Sequence, residues 1–260
     1  MKKNKKKNFS QNFLIDKNII KKIISFLDFK NDDLVIEIGP GYGNITKYLL
    51  KFLKKIYVIE IDKNLVNFLK KKFFLKKIKI YFLDVLNFNF LNFFNRFKKK
   101  IRLIGSLPYN ISSLLLFYLI QFSNLLIDQH FILQKEFVDR MIAKPGNKKF
   151  GRLSIMLQIH FKIKLLFLIN PESFKPKPKV KSAMVRIISK KILIKYNIFF
   201  LNKILIKAFS NRRKFIFNCV SNFFSKEDFI FLKINPKLRP EMLTIKQYIL
   251  LSNFLKKKKN

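Results

Sequence analysis

The apolar run Leu34-Val35-Ile36-Glu37-Ile38 passes directly into Gly39-Pro40-Gly41-Tyr42-Gly43-Asn44 and then into the helix-compatible stretch Ile45–Phe52. A short run rich in β-branched residues, bounded by turn signals, reads as a strand buried on both faces, as in a parallel sheet. Glycine directly after such a strand allows the backbone of the turn and of the following helix N-terminus to approach a ligand closely. This unit calls for an α/β layer architecture with a ligand at the carboxyl end of the strand.

The remaining chain repeats the pattern. Further strands are expected at Ile56–Ile61, Ile78–Leu83, Ile101–Gly105 and Gln129–Leu133, with helices at Asn64–Phe74 and Ser113–Phe122. Two more strands are expected near Ile163–Ile169 and Ala183–Ile188. Between them Pro171, Pro176 and Pro178 predict an ordered loop. From Asn197 the apolar residues return at helical intervals, punctuated by Pro236 and Pro240. The expected division is an α/β domain over 1–190 and a small helical domain over 191–260.

Candidate ligand-binding residues follow from this frame. A carboxylate at Glu60, ending the second strand, can accept hydrogen bonds from both hydroxyls of a ribose. Asp84, ending the third, can accept from the exocyclic amine of an adenine, with Ile61 and Val85 against the ring. The turn is shared with nicotinamide-binding folds, but its Gly-x-Gly-x-Gly spacing lacks the third glycine of Gly-x-Gly-x-x-Gly. A hydride-transferring oxidoreductase is therefore disfavoured.

Composition narrows the partners. Fifty-five Lys and Arg against 15 Asp and Glu leave a net charge of +40, which attracts a polyanion and puts nucleic acid first. Lys, Asn, Ile and Phe share AT-rich codons, so codon bias is an alternative source of the lysine. A single cysteine, Cys219, excludes an intramolecular disulfide and a multi-cysteine zinc site. His130 and His160 read as structural residues, and no metal is expected. Leu114–Ile127, interrupted by Gln121, Ser123 and Asn124, is too short for a membrane span and reads as a buried helix. With no secretory signal discernible, a cytoplasmic protein without membrane contact is expected.

The fourth strand leads into Gly105-Ser106-Leu107-Pro108-Tyr109-Asn110. Together with Gln11-Asn12-Phe13-Leu14, Leu133-Gln134-Lys135-Glu136, Phe150-Gly151-Arg152-Leu153-Ser154, Pro178-Lys179-Val180, Arg212-Arg213-Lys214 and Arg239-Pro240-Glu241, it resembles the ribosomal RNA adenine dimethyltransferase family nearly from end to end. The resemblance is strongest to bacterial members acting on two adjacent adenines near the 3′ end of small-subunit (16S) ribosomal RNA. It implies a Rossmann-like class I S-adenosylmethionine-dependent methyltransferase domain with a C-terminal helical domain. It also implies S-adenosylmethionine as methyl donor, with cofactor contacts at Asn12, Leu14, Gly39, Glu60, Asp84 and Ser106, beside Gly41, Ile61 and Val85 from the strand-end reading. Ser106 departs from the family, which usually has Asn there.

An adenine amine is a weak nucleophile, and acceptors for its N–H groups favour a more pyramidal nitrogen. The Ser106 hydroxyl and the Leu107 carbonyl are the candidate acceptors. Tyr109 and, by resemblance, Phe174 are candidate walls for a base taken out of its stack. Arg152, Arg212, Arg213 and Lys214 are the candidate RNA contacts, because guanidinium groups bind phosphate bidentately. The expected partners are small-subunit ribosomal RNA and the immature small subunit, engaged by a monomer. A rival reading keeps the fold and RNA surface without catalysis, as a ribosome-assembly factor.

Overall fold

The computed structural model describes residues 11–73, 76–108, 110–191 and 195–259. They divide into two compact units, Met1–Val138 with Lys162–Ser189, and Asp139–Phe161 with Lys190–Asn260.

The first unit is built on a seven-stranded sheet. In chain order its elements begin with β1 (Phe13–Leu14), α1 (Lys17–Ser25), β2 (Leu34–Ile38), α2 (Thr46–Leu49), β3 (Ile56–Glu60), α3 (Lys63–Lys72) and β4 (Ile78–Phe82). They continue with α4 (Phe90–Phe97), β5 (Ile101–Ser106), α5 (Ser112–Ile120), β6 (Leu126–Gln134) and the start of α6 (Lys135–Ile142), whose residues from Asp139 belong to the second unit. After α7 (Arg152–His160) come β7 (Phe161–Ile169), β8 (Phe174–Lys175) and β9 (Ser182–Ser189). The sheet order is β4-β3-β2-β5-β6-β9-β7. Strands β4 to β6 pair in parallel, and β9 joins β6 antiparallel.

Strands β2 and β3 are buried along their whole length, as their apolar sequences require between two helical layers. Chain order runs outward from β2 to β3 and β4, then returns to β5 on the other side of β2. That reversal is a topological switch point, where an open α/β sheet leaves a crevice beyond its carboxyl ends. At the opposite end of β5, Arg102 is bound by Asp128 through Nε–Oδ1 (2.9 Å) and Nη2–Oδ2 (2.7 Å), and by Asp33 through Nη1 (2.7 Å). These bonds join β5 and β6 to the loop before β2.

The expected helix over Leu114–Ile127 is replaced by three elements. Helix α5 stops at Ile120, a 3-10 turn covers Ser123–Leu125, and β6 begins at Leu126. The polar residues Gln121, Ser123 and Asn124 mark the helix-to-strand turn. The proline-bounded segment forms a 3-10 turn at Pro171–Ser173 followed by β8, which pairs with β1 as a separate two-stranded sheet.

The second unit contains α7, α8 (Ile198–Ser210), α9 (Ile216–Val220), α10 (Lys226–Phe231) and α11 (Ile245–Lys259). Its boundary differs from the expected 1–190 and 191–260, because Asp139–Phe161 assorts with the C-terminal helices. The bonds responsible are local to this unit. Arg152 Nε donates to Asn202 Oδ1 (2.9 Å), Gly146 N to Glu241 O (2.8 Å), and Lys190 N to His160 O (2.8 Å), while the His160 ring is hydrogen-bonded to the Tyr196 hydroxyl. Both histidines are buried, one in each unit, and burial lowers each to about 4, so they are neutral near pH 7.

Candidate cofactor and reaction site

The crevice at the switch point is a cavity of ≈ 280 Å3 within the first unit. The turn after β2 forms its floor. Gly39, Gly41 and Gly43 all have positive φ, at 65°, 56° and 72°, a conformation that side-chain-bearing residues rarely adopt. Gly39 donates its amide to Ile59 O (2.9 Å), tying the turn to β3. A Cβ at Gly41 would lie 2.8 Å from the Phe13 ring.

Glu60 ends β3 and is 4% exposed. Its Oε1 accepts from the amides of Ile61 (2.9 Å) and Asp62 (3.0 Å), and its Oε2 from Gly41 N at 3.3 Å. Burial raises its pKa, and the amides of Asp62, Gly41 and Ile61 oppose that rise. The long single bond to Oε2 leaves acceptor capacity on that oxygen. Asp84 lines the cavity beyond β4, and its Oδ1 also accepts from Leu86 N (2.9 Å), capping the turn that carries the buried Val85.

Ser106 and Leu107 also line the cavity. Gly105 is required just before them, because a Cβ there would fall well inside contact distance of the Ile38 carbonyl oxygen on β2. Close pairing of β2 with β5, Ile38 opposite Gly105, brings Ser106 beside the glycine turn. Leu107 is 3% exposed and donates its amide to Ile132 O (3.2 Å).

The structure thus gathers Asn12, Leu14, Gly39, Gly41, Glu60, Ile61, Asp84, Val85, Ser106, Leu107 and Phe174 around one cavity. Phe174 also packs in the hydrophobic core at 4% exposure. Tyr109 lies outside the described residues. Arg152, Arg212, Arg213 and Lys214 all belong to the second unit. There Arg212 Nη2 donates to the Lys148 carbonyl and stands 3.7 Å from Glu241 Oε1, so part of its role is to hold that unit together.

Glu37 and Asn44 are among the cavity residues not singled out from sequence. Glu37, inside β2 and 1% exposed, accepts from the Thr46 hydroxyl (2.6 Å). Burial pushes its carboxyl up to about 7, against the pull of Thr46 and with a further push from Glu60. A lone acid in an apolar run was the available signal. Asn44 carried no such signal, since its side chain donates to the Leu14 carbonyl, 30 residues away in the chain.

The residues present fit the demands of S-adenosylmethionine, because a turn of positive-φ glycines, a buried carboxylate with spare acceptor capacity and a second carboxylate line one cavity beyond successive strands. The family model described as ribosomal RNA adenine dimethylase matches residues 2–257. A protein named ribosomal RNA small subunit methyltransferase A from Herminiimonas arsenicoxydans is 44% identical over 250 residues, covering 96% of this chain and 98% of that protein. Its namesake from Wigglesworthia glossinidia brevipalpis is 45% identical over 250 residues, 95% of this chain and 96% of that protein. Among solved structures, a dimethyladenosine transferase from Plasmodium falciparum superposes with a TM-score of 0.78 at 28% identity, covering 95% of this chain and 98% of that one. The 23S rRNA methyltransferase ErmE shares the fold, with a TM-score of 0.71 at 20% identity over 94% of this chain and 100% of its own.

Proposed function

The chain belongs to the ribosomal RNA adenine dimethylase family, and on that premise we propose how its residues carry out the reaction. It is an S-adenosylmethionine-dependent RNA methyltransferase of the class I α/β fold. Its targets are the exocyclic amines of two adjacent adenines near the 3′ end of small-subunit ribosomal RNA, presented by an immature small subunit to a monomeric enzyme in the cytoplasm. The observation that carries this reading is the convergence of Gly39, Glu60, Asp84 and Ser106 on one cavity at the carboxyl ends of four adjacent strands.

The chemistry supplied by bound S-adenosylmethionine is a methyl group attached to a sulfonium that is its own leaving group. The protein's task is then to position a neutral amine, and proximity and orientation account for much of the rate. Gly39 and Gly41 admit the cofactor to the backbone, Glu60 accepts from its ribose, and Asp84 accepts from its adenine amine while Val85 and Ile61 flank the ring. The Ser106 hydroxyl and Leu107 carbonyl accept from the target amine and hold its lone pair toward the methyl. Phe174 and Tyr109 flank the extruded base, offsetting an unstacking cost of a few kcal/mol. Arg152, Arg212, Arg213 and Lys214 engage phosphates, and no metal takes part.

The test is transfer of labelled methyl to unmethylated small subunits, with mass analysis of the digested nucleosides. Dimethyladenosine is expected from the wild type. Glu60→Ala loses two hydrogen bonds to a charged acceptor, so its affinity for S-adenosylmethionine falls by about a hundredfold or more. Subunit binding by the wild type without methyl incorporation would replace this reading with the assembly-factor one.

A further inference from the structure

Residues Gln11 to Leu14 form a strap whose four residues all line the cavity. Its hold on the protein comes from two sides. On one side, β1 pairs with β8, with Phe13 opposite Lys175 and Leu14 opposite Phe174, and the amides of Ile15 and Asp16 donate to Ser173 O at 2.9 and 3.3 Å. On the other side stands the glycine turn. Asn44, half-buried and following Gly43, donates its side-chain amide Nδ2 to the Leu14 carbonyl at 2.8 Å, across 30 residues of chain. The Phe13 ring meets Tyr42 edge-on at 4.7 Å between centroids.

We infer that Asn44 is a positioning residue for cofactor binding: its amide, by holding the Leu14 carbonyl, sets the 11–14 strap across the cavity. This rests on the reading of the cavity as the S-adenosylmethionine site. The inference follows from where the bond lies. A two-residue strand pair fixes the strap at β8 but leaves its distance from the glycine turn open. Aromatic edge contact resists separation without defining register, whereas a hydrogen bond to one named carbonyl does define it. The bond is also local to the glycine turn, since Asn44 directly follows Gly43 and its partner Leu14 belongs to the strap, so neither end of it is Ser106 or Leu107. Its loss is therefore expected in cofactor affinity, with the rate at saturating cofactor preserved.

Asn44→Asp keeps the shape and removes the donor, and Asn44→Ala removes the side chain. Both variants and the wild type are to be compared by calorimetric binding of S-adenosylmethionine, by steady-state kinetics on unmethylated small subunits, and by thermal unfolding without cofactor. A neutral hydrogen bond of ordinary net strength corresponds to about a three- to tenfold change in affinity. The expected result is a rise of that size in cofactor Kd and KM in both variants. It comes with kcat and the KM for the subunit within twofold of wild type. Unchanged cofactor affinity in Asn44→Asp, or a loss confined to kcat, overturns the inference. If Asn44→Ala is too unstable to assay, Asn44→Asp decides alone. Failure of the wild type to bind S-adenosylmethionine would instead overturn the reading of the site.

Discussion

Glu37 has a pKa of about 7 in the folded chain against an ordinary 4.5. The folded state therefore binds more protons than the unfolded state between those pH values. Its contribution to stability is fully present below about pH 4.5 and is lost as pH rises through 7, an effect on the order of 3 kcal/mol. In Glu37→Gln this loss is absent. The melting temperature of the variant minus that of the wild type, without cofactor, should increase between pH 6 and pH 8.5. A difference that is flat with pH would show that Glu37 is ionised at neutral pH. Ser106 makes a separate prediction. Ser106→Ala removes one acceptor for the target amine, so kcat should drop by about ten- to a hundredfold, with a smaller change in cofactor Kd. Single-turnover methylation at saturating cofactor measures it. Glu60 and Asp84 were legible in the sequence because one ends and the other follows a recognisable strand of the sheet that carries the glycine turn. Glu37 was visible only as an anomaly, and Asn44 was not visible, because hydrogen-bond partners 30 residues away leave no local pattern.

Elements position these side chains, and the β2–β5 pair is the one on which the site depends. Gly105→Ala would place a methyl group against the Ile38 carbonyl, and backbone cannot yield as a flexible side chain does. A destabilisation of about 1–3 kcal/mol is expected from the overpacking, measured by urea unfolding, together with weakened cofactor binding as Ser106 moves away from the glycine turn. Retention of wild-type stability would mean that the strands separate at little cost. The strands were readable because β-branched apolar runs of four to nine residues flanked by turn residues have few other solutions. Helix limits were read less well. Leu114–Ile127 looked like one apolar helix, but the strand expected from Gln129 already begins at Leu126, where pairing with β5 starts. The short β1 and β8 were invisible, since two-residue strands have no periodicity.

For the whole molecule, the charge of +40 and the basic side chains of the helical unit predict RNA binding that weakens steeply with salt. The double variant Arg213→Ala and Lys214→Ala should bind small-subunit RNA with a shallower slope of log affinity against log salt, by about 0.7–0.9 for each phosphate that is no longer neutralised. Filter binding across a salt series reads this, and an unchanged slope would remove both residues from the RNA surface. Arg212→Ala should in addition lower the melting temperature, because its guanidinium bonds to the Lys148 carbonyl and faces Glu241. The sequence by itself determined the α/β class, the glycine turn, the carboxylates at successive strand ends and the helical C-terminal part. These follow from side-chain period and from the backbone demands of glycine, which act over a few residues. Tertiary structure alone decided the strand order that sets Ser106 beside Gly39, the assortment of Asp139–Phe161 with the C-terminal helices, and the strap that reaches Asn44. Each depends on hydrogen bonds and packing between residues far apart in the chain, and such interactions exist only once the sheet and helices have assembled.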